Sequence, residues 1–279
     1  MYVQEKSDLL TVTRIKMQSA PSFAARGNSR GLDELAGGLI SLATNAVIEV
    51  IKKNQEKYFA EYETGLTDLY FYDQLSNESA FDPAGMQFAG FRLVRTFQND
   101  EGKTDTALIV LFELDTTNTA AIINNSTFRL KLKSFDLRYA KAKIAKGDPK
   151  VLNMDFDISF VTSYVNDKGV LFDEQVLGKF YLLIRDAPMD SSAAGYKKYY
   201  KNLQGKMITG KSFIVPRSFG YHRDPDGEIK SGYSQGLYSI KVNIKESSKP
   251  NFVTRLIMEN GPELISKGTE NIKIKLDKH

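Results

Sequence analysis

From about Leu66 onward, apolar and polar residues alternate with a period of two over much of the chain. Met154, Phe156, Ile158 and Phe160 alternate with Asp155, Asp157 and Ser159. Tyr238, Ile240, Val242 and Ile244 alternate with Ser239, Lys241, Asn243 and Lys245, and Ile272, Ile274 and Leu276 with Lys273 and Lys275. Successive side chains on a strand point to opposite faces, so this rhythm predicts sheets with one face on a core and the other in water. Ala107 to Phe112 is apolar throughout and reads as a central strand. Further strands are expected near 66–73, 86–97, 126–146, 175–185, 207–215 and 252–258. Turn signals separate them: Asn99-Asp100-Glu101-Gly102, Asn166-Asp167-Lys168-Gly169 and Asp224-Pro225-Asp226-Gly227. Strands joined by short turns, without helices between them, predict a mainly β protein, an antiparallel β-sandwich built as one large unit or two smaller ones.

Two breaks in the rhythm carry information. Phe128, Leu130 and Leu132 hold even positions, but beyond Ser134 the apolar residues are Phe135, Leu137 and Tyr139. A one-residue slip sends every later side chain to the opposite face, so a bulge or corner is expected near Ser134. Gly90, between Phe88 and Phe91, marks a second one.

The N-terminal third reads differently. Leu9 to Met17 has strand character, and residues 18–31 read as a linker, so 1–31 form an arm that pairs in cis or with a neighbour's open edge. From Leu32 to about Glu63 apolar residues recur at three- and four-residue steps, among them Leu35, Leu39, Ile40, Val47, Tyr58 and Tyr62. That period predicts one long N-terminal α-helix over 32–65, stopping at Gly65. Its uncharged half, Leu35 to Ile48, falls short of the roughly 20 residues that span a bilayer, so no transmembrane segment is expected. The expected organisation continues with a β-sandwich region over 66–187 and a basic linker over 188–206, helical from Tyr196 to Leu203. Residues 207–279 then form a C-terminal β region, either a second small domain or the completion of the first.

Composition narrows the chemistry. The chain has no cysteine, which excludes thiol nucleophiles, disulfides and thiolate metal sites within it. With only His222 and His279, histidine-rich metal sites are excluded and a Ser-His-Asp relay has one candidate base, His222. Proton transfer at enzyme sites most often uses histidine, so the expectation is a protein that is not an enzyme and carries no cofactor. Asp155, Asp157, Asp173 and Glu174 are the candidates for carboxylate hydrolysis, which needs two such groups roughly 5–10 Å apart. Asp155 and Asp157, however, alternate with core residues and are expected on the wet face. Asp224-Pro225-Asp226-Gly227-Glu228 offers three carboxylates near a glycine, but a calcium loop needs further oxygen ligands and a bidentate Glu near position 12, which neither Lys230 nor Gln235 supplies, and a hairpin turn explains the same letters.

The strongest local anomaly is 191–223, where Lys197, Lys198, Lys201, Lys206, Lys211, Arg217 and Arg223 stand without one acidic residue, interleaved with aromatics such as Tyr199 and Tyr200. Cations beside aromatics suit nucleic acid, an anionic membrane surface or an acidic protein. A solvated segment with its aromatics turned into the core accounts for the same residues and is preferred, and nucleic acid is not favoured.

The leading expectation is therefore a structural or adaptor protein working by protein–protein contacts with other subunits or with copies of itself. The larger assembly is of the kind found in cell-surface complexes, secretion apparatus or virus-like particles. Leu10, Val12 and Ile15 in the arm and Leu39, Ile40 and Val47 in the helix are its expected contacts. An anionic-ligand module centred on 191–223 is the alternative, and a carboxylate hydrolase ranks below both. Residues 1–30 carry no sustained apolar run, so no secretory signal is read in them, and an exported protein whose leader was removed would look the same.

Overall fold

A computed structural model describes residues 8–17, 58–72, 79–117, 119–144, 150–223 and 226–248. Its strands form two antiparallel sheets stacked on a shared core, with a separate two-stranded ribbon. The first sheet has the order β1 (Asp8–Lys16), β3 (Phe88–Gln98), β4 (Thr104–Leu114), β6 (Leu130–Leu137). The second has the order β2 (Phe59–Asp68), β12 (Tyr238–Ser247), β7 (Val151–Val165), β8 (Leu171–Pro188), β9 (Thr209–Phe213), β5 (Thr127–Phe128). The ribbon pairs β10 (Phe219–Arg223) with β11 (Ile229–Tyr233). The mainly β expectation holds. Two short helices accompany the sheets, α1 (Thr119–Asn125) and α2 (Tyr196–Leu203), and α2 has the expected bounds.

The period-two rhythm does what it predicts. Phe156, Ile158 and Phe160 of β7 and Ile240, Val242 and Ile244 of β12 are buried on the face that meets Phe91, Leu93, Val110 and Phe112 of the first sheet. Aromatic rings span the gap, Phe88 to Phe160 at 5.7 Å and Phe135 to Phe156 at 6.1 Å between centroids, a spacing at which edge-to-face pairs attract. β12, from the C-terminal region, lies between β2 and β7, so residues beyond 207 contribute strands to this same sheet.

Both bulges are present. Leu111 faces Ser134 while Phe112 faces Leu132, leaving Lys133 as the extra residue, and the buried positions switch from Leu130 and Leu132 to Phe135 and Leu137. At Gly90, Ile15 faces Gly90 while Lys16 faces Phe88. Gly90 has φ +134°, and a Cβ there would lie 2.1 Å from the Phe112 carbonyl oxygen, so only glycine lets β3 and β4 approach this closely. The crossing between sheets falls earlier, at Arg129 between β5 and β6. On that side hydrogen bonds run from one sheet toward the other: the Leu132 N–H donates to Lys206 O at 2.8 Å and the Ile208 N–H to Leu130 O at 3.0 Å.

The expected helix requires correction at its end. Residues 32–57 lie outside the described residues, but from Phe59 the chain is strand β2, with Tyr62 buried. Tyr62 fits both periods. Four residues after Tyr58 it extends the helical stripe; two before Thr64 and four before Leu66 it belongs to a strand face, and pairing with β12 over ten residues decides the matter. The strands expected at 252–258 and 272–276, the linker 18–31, and the contacts Leu39, Ile40 and Val47 also lie outside the described residues.

Candidate functional site

The basic aromatic stretch does not form one surface. Lys197, Lys198 and Lys201 are exposed on α2, Lys206 follows that helix, and Lys211 is exposed on β9. Arg223 is exposed at the end of β10, where its guanidinium donates to Gly227 O at 2.9 Å. Arg217 is a core residue: it is buried, its guanidinium stands 4.3 Å from the centre of the Tyr72 ring, and it faces Asp82 at 3.8 Å. Tyr199 and Tyr200 seat α2 on the protein. Their rings pack against the core, Tyr200 stacks on Phe135, and their hydroxyls donate to Arg185 O and Pro188 O. Burial pushes the Tyr199 hydroxyl up to about 12 and that of Tyr200 above the ordinary tyrosine range.

The buried charges hold sheets and strands together. Arg95, inward-facing on β3, meets Glu246, inward-facing on β12 of the other sheet, at 3.7 Å, and both are fully buried. Every oxygen of that carboxylate is engaged. Oε1 accepts from the Tyr62 hydroxyl, and Oε2 accepts from the N–H groups of Lys141 at 2.6 Å and Ala142 at 3.0 Å. Arg95 also donates to Tyr139 O and lies over the Tyr62 ring. On the same side of the stack, at its β1–β2 margin, Arg14 of β1 donates to Asp68 of β2 at 2.6 Å, while the Thr64 hydroxyl donates to Leu10 O. Leu10 and Val12 are buried in the protein's own core and Ile15 is half-buried, so β1 pairs in cis and its expected contact residues Leu10 and Val12 are turned inward.

The acidic candidates are dispersed. Asp155 is buried, in contrast to its expected wet-face setting, on a central strand between β12 and β8. Arg185 forms an ion pair with it. Desolvation raises its carboxyl above the ordinary range, against the opposing pull of Arg185. Asp157 is half-buried two residues on. Asp173 accepts from the Ser163 hydroxyl at 2.7 Å and Glu174 pairs with Lys241 at 3.4 Å, roughly 20 Å along the β7–β8 ladder from Asp157 at about 3.3 Å per residue. Among the described residues no group of three histidine, aspartate or glutamate side chains could hold a metal ion. Asp226 and Glu228 sit at the turn of the β10–β11 hairpin, with Glu228 paired to Lys230. His222 lies in β10.

What the sequence reading missed is a pair of hairpins rooted side by side at one end of the sheets. β12 pairs with β7 only as far as Thr162, and β9 with β8 only as far as Gly178, so among the described residues the hairpin 163–177 meets no third strand beyond its foot, where Val176 and Gln175 pair with Val161 and Thr162 of β7. Its turn is closed by Asn166, whose side-chain oxygen accepts from the Lys168 and Val170 N–H groups. The foot of the β10–β11 ribbon stands beside its turn, where the N–H of Val165, the last residue of β7, donates to the Ser218 hydroxyl at 3.0 Å. These hairpins carry five large apolar side chains in water: Tyr221 is 80%, Leu171 66%, Ile229 64%, Val176 58% and Val170 50% exposed. The legible signal was the apolar run Val170-Leu171-Phe172 directly after a turn, followed by charged residues where a core strand would alternate.

These features define an antiparallel, mainly β protein with buried ion pairs inside it and, on the two hairpins, five of the eleven large apolar side chains that stand exposed among the described residues. No helix among the described residues is long and apolar enough to cross a membrane. Comparison of the chain with protein-family models, with curated proteins and with solved structures finds no match.

Proposed function

We propose that the protein is a structural or adaptor subunit that works by protein–protein contact, with the hairpins 163–177 and 218–234 as its docking end. The observation that supports this reading is the set of five exposed apolar side chains on two strand pairs that run past the last neighbouring strand found among the described residues. Exposed apolar clusters on a folded protein mark places where a partner removes them from water. Among the described residues no strand lies along the outer margins of these hairpins, a setting that suits an added strand. The buried pairs Arg95–Glu246 and Arg14–Asp68 and the half-buried pair Asp155–Arg185 fit the same reading, since they commit these charges to the fold itself.

A second reading draws on Lys197, Lys198 and Lys201, exposed together on α2. It makes α2 a site for an anionic ligand, and Tyr199 and Tyr200, being engaged with the core, are not among its contacts. The test of the leading reading is the native size of the full chain in extracts of its source cell. It is expected above the 31.4 kDa of the monomer, and Val170→Ser with Leu171→Ser is expected to bring it down to monomer size without moving the unfolding midpoint. A wild-type chain at monomer size would overturn the reading.

A further inference from the structure

The long β7–β8 ladder ends in surfaces of opposite charge. At the hairpin end, the described residues of 163–177 and 218–234 include Asp167, Asp173, Glu174, Asp226 and Glu228 against Lys168, Arg223 and Lys230, five acids to three bases. All eight are exposed. At the other end, α2 and its flanks over 189–206 carry Lys197, Lys198, Lys201 and Lys206 against Asp190, four bases to one acid. The Tyr199 and Tyr200 hydroxyls tie α2 to Arg185 and Pro188. Arg185 lies 14 residues along β8 from Leu171, a separation of roughly 45 Å at about 3.3 Å per residue.

We infer that the partner of the hairpin end is a second copy of this chain, presenting its α2 end. The inference rests on the reading of the hairpins as a docking site and adds the occupant. Charge complementarity carries it. Two hairpin ends brought together would oppose acids to acids, and two α2 ends lysines to lysines, whereas the head-to-tail arrangement sets lysines against carboxylates. The Glu174–Lys241 pair is exposed and contributes little where it stands, so its carboxylate can exchange that partner for a new cation. Val170, Leu171 and Tyr221 supply the apolar contact, and the lysine stems of α2 can cover them. A contact between two different surfaces does not close on itself as a two-fold dimer does, so it continues into a ring or a filament.

Sedimentation of the purified full chain over a range of concentrations, at about 0.02 M and about 0.5 M salt, tests this. The mass is expected to rise from monomer past dimer at low salt and to fall back at high salt. Lys197→Glu, Lys198→Glu and Lys201→Glu together, or Val170→Ser, Leu171→Ser and Tyr221→Ser together, are each expected to leave a folded monomer. Mixing the two variants unites one intact hairpin end with one intact α2 end, so a one-to-one dimer that grows no further is expected. A closed dimer indifferent to the lysine changes would overturn the inference, as would association that needs added single-stranded nucleic acid or anionic vesicles. A purified chain that stays monomeric but runs above monomer size in source extract would overturn self-association and leave docking of another protein in place. Monomer size in both settings would overturn both.

Discussion

Glu246 gathers four polar contacts in the core, since its carboxylate takes the Tyr62 hydroxyl and two backbone N–H groups while facing Arg95. Removing one member of a buried ion pair leaves the other uncompensated, at a cost of roughly 3–5 kcal/mol, while replacing both by apolar groups of similar volume is far less damaging. Glu246→Ala is therefore expected to lower the unfolding free energy by about that amount in urea titration, and Arg95→Met with Glu246→Leu by much less. A loss under about 1 kcal/mol for the single change would place the pair outside the energetics of the fold. Half of this clamp was legible. Arg95 shares the parity of Phe91, Leu93 and Phe97, and Glu246 that of Ile240, Val242 and Ile244, so each occupies an inward position in its strand. That they meet is a long-range fact of sheet stacking, about which neither local pattern carries information. Asp155 illustrates the converse: its parity is that of the wet face, yet it lies buried on a central strand, paired with Arg185 of the neighbouring one.

Among the elements, α2 depends on two phenols for its seat. Burial holds the folded hydroxyls above the ordinary tyrosine value, Tyr199 at about 12 and Tyr200 higher still. Because the folded state keeps these protons more tightly than the unfolded chain, their contribution is complete below about pH 10. It is lost as the pH rises from there through the folded values. The unfolding free energy is thus expected to fall steeply above pH 10, and less steeply in Tyr199→Phe with Tyr200→Phe, which at neutral pH should cost about 1 kcal/mol for each hydrogen bond removed. Parallel slopes for the two proteins would contradict the seating of α2 by these hydroxyls. The helix itself was readable between Tyr196 and Leu203, as were the bulges at Ser134 and Gly90, because each is written in a few neighbouring residues. Strand β2 was not, since Tyr62 satisfies helical and extended spacing alike and the pairing with β12 that decides it lies about 180 residues away. Helix α1, with only Ile122 turned inward, has no apolar stripe to announce it.

At the scale of the whole molecule, two stacked sheets closed by polar contacts at one margin and by backbone hydrogen bonds at the other leave the ends as the places of contrast. One end bears apolar hairpins among carboxylates, the other a lysine-studded helix. The rhythm of residues disclosed the sheets but not this polarity, because the two hairpins come from separate stretches of the chain and meet only once β7 and β10 are side by side. Function by contact through the hairpin end is most directly tested by amine-reactive crosslinking of the full chain in its source cell, followed by mapping of the linked lysines. Lys168 and Lys230, exposed on the two hairpins, are expected to be joined to lysines of another molecule, and to lose those links when Leu171 and Tyr221 are changed to serine. Intermolecular links confined to other parts of the protein, with Lys168 and Lys230 reacting only as in the isolated monomer, would contradict the account.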